Sequence, residues 1–225
     1  MVKKKSTPRK QKRTYQSRVR TDNAQATRVH VLSTARHLFA KLGYFATTIS
    51  AIATTADVSV ATITAGFGTK LLLLQAVAKW DVRGDEEPQP LSKRDWWLDM
   101  MHEHDPQARL RRYAANVRQI HERTTDMFEI VRSAAAVEPA LAALRKDLGE
   151  SHYQDDRTMA ASFAGQQALA PTVTIDEAAD LLWSLGSADL YRLLVVTRGW
   201  QPQRYEAWLA ISWTHAILAP DGPPG

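Results

Sequence analysis

Apolar side chains fall on a three- and four-residue rhythm along most of the chain. In "NAQATRVHVLSTARHLFAKLG", Asn23–Gly43, Leu32, Ala35, Phe39 and Leu42 share one helix face, flanked by Val31 and Leu38. Gly43 stands where a C-cap falls, so the spacing predicts a helix from about Ala24 to Gly43. "TTISAIATTADVS" follows. Thr47 or Thr48 can cap a short helix whose inner face is Ile49, Ile52 and Ala53, ending near Thr55. Asp57 suits a sharp reversal, because a short polar side chain tolerates left-handed backbone. Ser59 can cap a third helix of about seven to eight residues, with Val58 and Ile63 inward and Phe67 closing its end. Gly66 and Gly68 are expected to stop it. Thr69 then caps a fourth helix on Leu72, Leu73, Ala76, Val77 and Trp80, running to about Val82.

Beyond this region the rhythm stays helical. "RGDEEPQPLSKR", residues 83–94, is polar and proline-containing and reads as a loop. Helices are predicted for "DWWLDMM", from Asp95, and for a long stretch opened by Pro106. Pro139 opens another, and Thr174 with Glu177 three residues later forms a capping box for the next. Gly186 and Ser187 can bend that helix, and "QPQRYEAWLAISWTHAIL" closes the series. No two-residue alternation marks a strand. The expected fold is all-α, with about nine or ten helices. Its expected parts are a disordered arm at 1–23, a helical unit at 24–82, the loop, a larger helical unit at 95–219 and a disordered tail at 220–225.

Charge changes this picture at one end. Lys3, Lys4, Lys5, Arg9, Lys10, Lys12, Arg13, Arg18 and Arg20 precede the first acid. The chain total is +5, so these nine cations leave the remaining residues at −4. A basic arm before a mildly acidic body suits phosphate neutralisation. Cysteine is absent, which excludes disulfides, thiolate metal sites and a Cys nucleophile. No apolar run reaches membrane-spanning length, and none follows the basic N-terminus to make a secretory signal. The expectation is a cytoplasmic protein without membrane contact. No Ser/His/Asp set, glycine-rich phosphate loop or paired-carboxylate motif is present, so neither an enzyme nor a cofactor is expected. "HEHD", His102–Asp105, offers two histidines on different helix faces, and no metal site is expected. Asp155 and Asp156 read as a solvated face.

A second helix, a tight turn and a short third helix make the helix-turn-helix arrangement, in which the third helix enters the DNA major groove. Its residues also resemble a known family. Ala35, Leu38, Phe39, Gly43 and Tyr44 follow the first-helix form of the TetR transcriptional regulators. Thr48-Ile49, Ile52-Ala53, Ala56, Val58-Ser59, Thr62-Ile63, Phe67, Thr69-Lys70 and Leu73 continue the likeness over roughly residues 26–82. Asp57 departs from the family's usual Gly, and Thr64 from its usual Tyr. The later text "GDEEPQPL", "RRYAANVRQIHER", "IDEAADLLW" and "YRLLVVTRGW" also resembles part of that family, less specifically.

The resemblance implies a ligand-responsive regulator, usually a repressor, binding an inverted-repeat operator in double-stranded DNA. It implies a homodimer through the last two helices. Ser59, Val60, Ala61, Thr62, Thr64 and Ala65 would face DNA, reading bases through thymine-methyl contacts and hydroxyls. Thr47, Thr48 and Lys70 would touch phosphate. Trp96, Trp97, Met100, Met101, Tyr113, Val117, Met127, Phe128 and Trp183 are candidates to line a pocket for an apolar or amphipathic effector. For each one alone, plain core is the commoner role. Trp200, Trp208 and Trp213 suit the dimer interface or core. Two rivals stand beside this reading: a helical small-molecule-binding protein or enzyme without specific DNA binding, and a DNA binder that takes no ligand.

Overall fold

The computed structural model describes residues 9–85 and 89–220, with side chains described from residue 23 onward. The chain divides into two compact units, Met1–Val77 and Ala78–Gly225. Among the described residues all regular structure is helical, apart from an isolated bridge between Leu169 and Leu218.

The first unit contains α1 (Arg9–Ala46), α2 (Ile49–Thr55), α3 (Val60–Phe67) and the beginning of α4 (Lys70–Arg83). Its core is Val31, Leu32, Ala35 and Phe39 of α1, Ile52 and Ala53 of α2, Ile63 of α3, and Leu73, Leu74 and Val77 of α4. Gly43 takes φ +78 and breaks the helical path of α1, as its C-cap position predicts.

Three expectations need correction here. The backbone is helical from Arg9, so residues 9–22 are not the disordered arm the composition implied. Lys, Arg and Gln are good helix formers, no Gly or Pro lies between Arg9 and Leu42, and extending an existing helix avoids the cost of nucleation. Residues 1–8 of the arm, 86–88 of the loop and 221–225 of the tail lie outside the described residues. Gly66 does not stop α3; it lies inside the helix, and Gly68 at φ +79 ends it. The buried face of α4 is Leu73, Leu74, Val77 and Ala78, while Leu72 is exposed.

The second unit holds the rest of α4, a 3-10 turn at Leu91–Lys93, α5 (Asp95–Met101), α6 (Pro106–Ala134), α7 (Pro139–Gly165), α8 (Ile175–Leu185), α9 (Ala188–Tyr191) and α10 (Pro202–Ile217). Prolines begin α6, α7 and α10, where the missing N–H costs nothing. Thr174 and Glu177 form the predicted capping box on α8. Gly186 ends α8 and Ser187 caps α9, which passes into a wide π-helical turn at Arg192–Thr197. α6 packs on α7 and α10, and α8 packs on α7 and α10. Their shared core includes Trp97, Tyr113, Phe163, Leu182, Tyr205 and Trp213. In the predicted 83–94 loop, Arg94 is buried and pairs with Asp85.

Candidate nucleic-acid interface

The third helix is built to be short and to stand with one face outward. Ser59 Oγ accepts from Thr62 N at 3.0 Å and lies 2.8 Å from the Thr62 hydroxyl. This satisfies one of the free donors at the start of α3. Gly68 N–H closes the other end on Thr64 O at 2.9 Å. Ile63 is fully buried, whereas Val60, Ala61, Thr62, Thr64 and Ala65 are exposed. Eight residues span about 12 Å, roughly two turns. Asp57 takes φ +51, so the turn between α2 and α3 does demand left-handed backbone, and Asp meets it.

Two predicted contacts prove to be internal ties. Thr47 is 0% exposed, and its hydroxyl donates to Gly43 O at 2.7 Å or to Leu38 O at 3.2 Å. It fastens the end of α1 and offers nothing to a phosphate. Lys70 Nζ donates to Tyr44 O at 2.9 Å and Thr47 O at 3.0 Å, with Phe45 O at 3.4 Å and the Tyr44 ring centre at 4.3 Å. An ammonium has three protons, and these carbonyls take them. Burial lowers the Lys70 pKa from its ordinary value. Spacing alone could not separate this staple from a surface cation. Thr48 is the N-cap of α2, its Oγ1 accepting from Ala51 N at 3.0 Å, and it is exposed. Thr64 Oγ1 donates to Val60 O at 2.9 Å, along its own helix.

Sequence reading missed Arg28. Its Nη1 donates to Gly66 O at 3.1 Å and its guanidinium lies 4.3 Å from the Phe67 ring centre. A cation at the last turn of α3 satisfies an orphan carbonyl and complements the helix dipole. The only sequence signal was an Arg on the helical rhythm of α1, which does not say what it reaches.

The arrangement is a short outward helix, held at both ends, with small and hydroxyl side chains on its exposed face. That is the shape and chemistry of a major-groove reader. The family model for bacterial regulatory proteins of the tetR family matches residues 31–77. This segment is of the tetR type. The fold agrees over most of the chain. A protein assigned to the TetR regulators of Syntrophomonas wolfei superposes with TM-score 0.69 at 16% identity, covering 85% of this chain and 95% of that one. A second, from a Rhodococcus species, gives TM-score 0.67 at 13% identity, with 85% and 98% covered. A transcriptional regulator from Saccharomonospora viridis, solved in complex with choline, gives 0.64 at 21% identity, with 86% and 98% covered. No curated protein matches the sequence. Among the described residues no single helix is long and apolar enough to cross a membrane.

The pocket candidates do not gather in one place. Trp97, Met100, Tyr113 and Val117 belong to the buried core of the second unit, and Trp96 and Met101 pack against it. Met127 and Phe128 line a separate crevice with Ala78, Val82, Thr124, Val131 and Leu148, too tight for a water molecule. Trp183 is 41% exposed and borders an open cleft of about 890 Å³ with Tyr153, Arg145, Asp189 and Arg192. Periodicity gave each residue a helix face but not which helix that face meets. Trp213 is core, and Trp200 and Trp208 are half-buried against it. Asp105 serves as N-cap of α6, accepting from Gln107 N at 2.9 Å.

The acidic pair also departs from expectation. Asp156 is 0% exposed, and Tyr113 Oη donates to its Oδ1 at 2.6 Å. Burial raises the Asp156 carboxyl well above the usual range, and burial with the neighbouring Asp156 lifts Asp155 to about 6. Asp156 lies on the α7 stripe that carries Met159, Ala160 and Phe163 into the core. Four-residue spacing from that stripe was the available signal.

Proposed function

We propose that this chain is a ligand-responsive regulator, a repressor in its usual mode, that binds an inverted-repeat operator as a homodimer. One observation carries the DNA half: the exposed α3 face of Val60, Ala61, Thr62, Thr64 and Ala65 on a helix capped by Ser59 and held by Arg28. Methyls and hydroxyls at these positions suit thymine methyls and base-edge hydrogen bonds. Ser59 would join that base-reading face, and the exposed Thr48 would approach a phosphate oxygen. Thr47 and Lys70 act indirectly, by fixing α1, α2 and α4 around α3. The homodimer reading is supported by exposed apolar side chains near the end of the chain: Trp183, Leu193, Val196 and Ile211. A second copy would cover such a surface.

Two recognition helices in a dimer must meet successive major grooves about 34–36 Å apart. An effector that changes that spacing weakens DNA binding, and DNA weakens the effector by the same factor. The choline held by the Saccharomonospora viridis regulator supports the reading that this fold can enclose a small molecule.

Selection of bound sequences from a random duplex pool at near-physiological salt tests the proposal. An inverted repeat is the expected result. Enrichment without a motif would overturn specific readout and leave a basic, non-specific binder.

A further inference from the structure

The exposed face of α3 offers methyl groups and oxygen lone pairs, and almost no protons. With about 3.6 residues per turn, Ala61 and Ala65 lie side by side opposite the buried Ile63, with Thr62 and Thr64 on either flank. The hydroxyl protons are spent within the helix. Thr64 Oγ1 donates to Val60 O at 2.9 Å. Ser59 Oγ and Thr62 Oγ1 lie 2.8 Å apart, one donating to the other, and Ser59 Oγ also accepts from Thr62 N at 3.0 Å. The three hydroxyls therefore leave one free proton, while Thr62 and Thr64 keep lone pairs for a partner outside. None of these side chains carries a nitrogen. Arg28 and Lys70 are turned to carbonyls of their own unit, at Gly66 for the first and at Tyr44 and Thr47 for the second.

This balance of donors and acceptors separates the base pairs. Guanine shows N7 and O6 to the major groove, both acceptors, and its usual partner is a forked or charged donor. Burying that edge under a face without donors leaves two acceptors unmet, which is costly. An adenine–thymine pair meets the face on both counts. The thymine methyl packs on the methyls of Ala61, Ala65 or the exposed Val60, and the adenine N6 amino group donates to a threonine oxygen. Cytosine N4 can also donate to that oxygen, but its pair brings the guanine acceptors and no methyl.

We infer that α3 selects adenine–thymine pairs and rejects guanine, by methyl contact and accepted hydrogen bonds in the major groove. This rests on the DNA reading proposed above and names the base pairs which that site takes. Ala61 and Ala65 determine specificity for thymine, and Thr62 and Thr64 for adenine. The preference is exerted on base edges in the major groove, so it is separable from any preference for a narrow adenine–thymine minor groove.

The test rebuilds the duplex selected by the full chain with single base replacements and titrates each. The specified pairs at the centre of each half-site are expected to be adenine–thymine. Inosine–cytosine keeps the minor-groove pattern of that pair but presents the guanine edge in the major groove, and should weaken binding about tenfold at such a position. 2,6-Diaminopurine opposite thymine changes only the minor groove and should be tolerated. Uracil for thymine removes the methyl alone and should cost about two- to fourfold. In Ala61→Gly or Ala65→Gly, both at exposed positions, the uracil penalty should vanish at one thymine, with circular dichroism confirming the fold. Three outcomes would each overturn the inference and leave a specific regulator standing: guanines specified at the half-site centre, inosine–cytosine bound as tightly as adenine–thymine, or uracil penalties unchanged in both variants. A selected pool with no motif would remove the DNA reading and this inference together. The replacements titrated against the parent chain decide even if a variant fails to fold.

Discussion

Arg28 Nη1 donates to the carbonyl of Gly66 at 3.1 Å, tying α1 to the last turn of α3. The two residues are 38 apart in sequence. The Phe67 ring beneath the guanidinium makes the tie two-sided. A groove-reading helix needs its orientation fixed, because small angular errors displace every base contact at once. Arg28→Ala is therefore expected to weaken operator binding about tenfold while costing the unit roughly 1–2 kcal/mol, from one charged hydrogen bond and one exposed cation–π contact. Arg28→Lys keeps the charge but loses the planar fork, and should recover only part of the affinity. Duplex titration beside a melting curve separates the two effects. Arg28→Ala binding DNA like the parent would refute the orienting role.

Two left-handed positions should respond with opposite sign. Gly68 has φ +79, and a Cβ there would meet Leu72 Cδ1 at 2.9 Å. Gly68→Ala is expected to destabilise the first unit by about 1–2 kcal/mol. Asp57 takes φ +51 without being Gly, so Asp57→Gly relieves strain and should stabilise by about 0.5 kcal/mol. Denaturant midpoints for the two variants, moving in opposite directions, would check both.

The caps and turns of this protein are local, and they were legible in the sequence. Ser59, Thr48, the Thr174–Glu177 box and the prolines opening α6, α7 and α10 act within four residues of themselves. The helix-turn-helix was legible for the same reason. Arg28, Lys70 and Asp156 were not, because each is defined by a partner tens of residues away. Lys70 looked like a phosphate cation and is a staple across carbonyls of residues 44–47. Asp156 looked solvated and is buried against Tyr113. The early start of α1 was hidden by its lack of apolar rhythm, since a helix carried forward by propensity alone leaves no such pattern.

His121 gives the second unit an acid sensitivity of definite sign. It is buried, with Nε2 2.8 Å from Gly186 O, and burial lowers its pKa from 6.5 to about 4. Between those values the unfolded chain binds a proton that the folded chain refuses, so stability falls as pH drops through this window. The full shift corresponds to at most about 3 kcal/mol. Asp155, raised to about 6, acts in the opposite direction, so total stability hides the effect. The difference between wild type and His121→Gln isolates it. The variant is expected to gain on the wild type steadily from pH 7 to pH 4 in urea melts. Parallel curves would show that His121 does not titrate with unfolding.

The basic N-terminal segment should contribute to affinity more than to specificity. Nine Lys and Arg side chains precede Asp22 and are not balanced by any acid among them. The backbone of residues 9–22 continues α1. Thr64 stands where the family resemblance leads to the expectation of a Tyr, and its hydroxyl is turned onto its own helix at Val60 O. The cationic segment can supply the phosphate attraction that a hydroxyl engaged in this way does not. Each phosphate it neutralises adds about 0.9 to the slope of log affinity against log salt. Deleting residues 1–20 is therefore expected to lower affinity at moderate salt and flatten that slope by several units, while the selected motif stays the same. The chain from Thr21 keeps the first-unit core of α1, so folding should survive the deletion. Thr64→Tyr in the truncated chain should then restore part of the affinity. An unchanged slope after truncation would mean that the segment does not touch the phosphates.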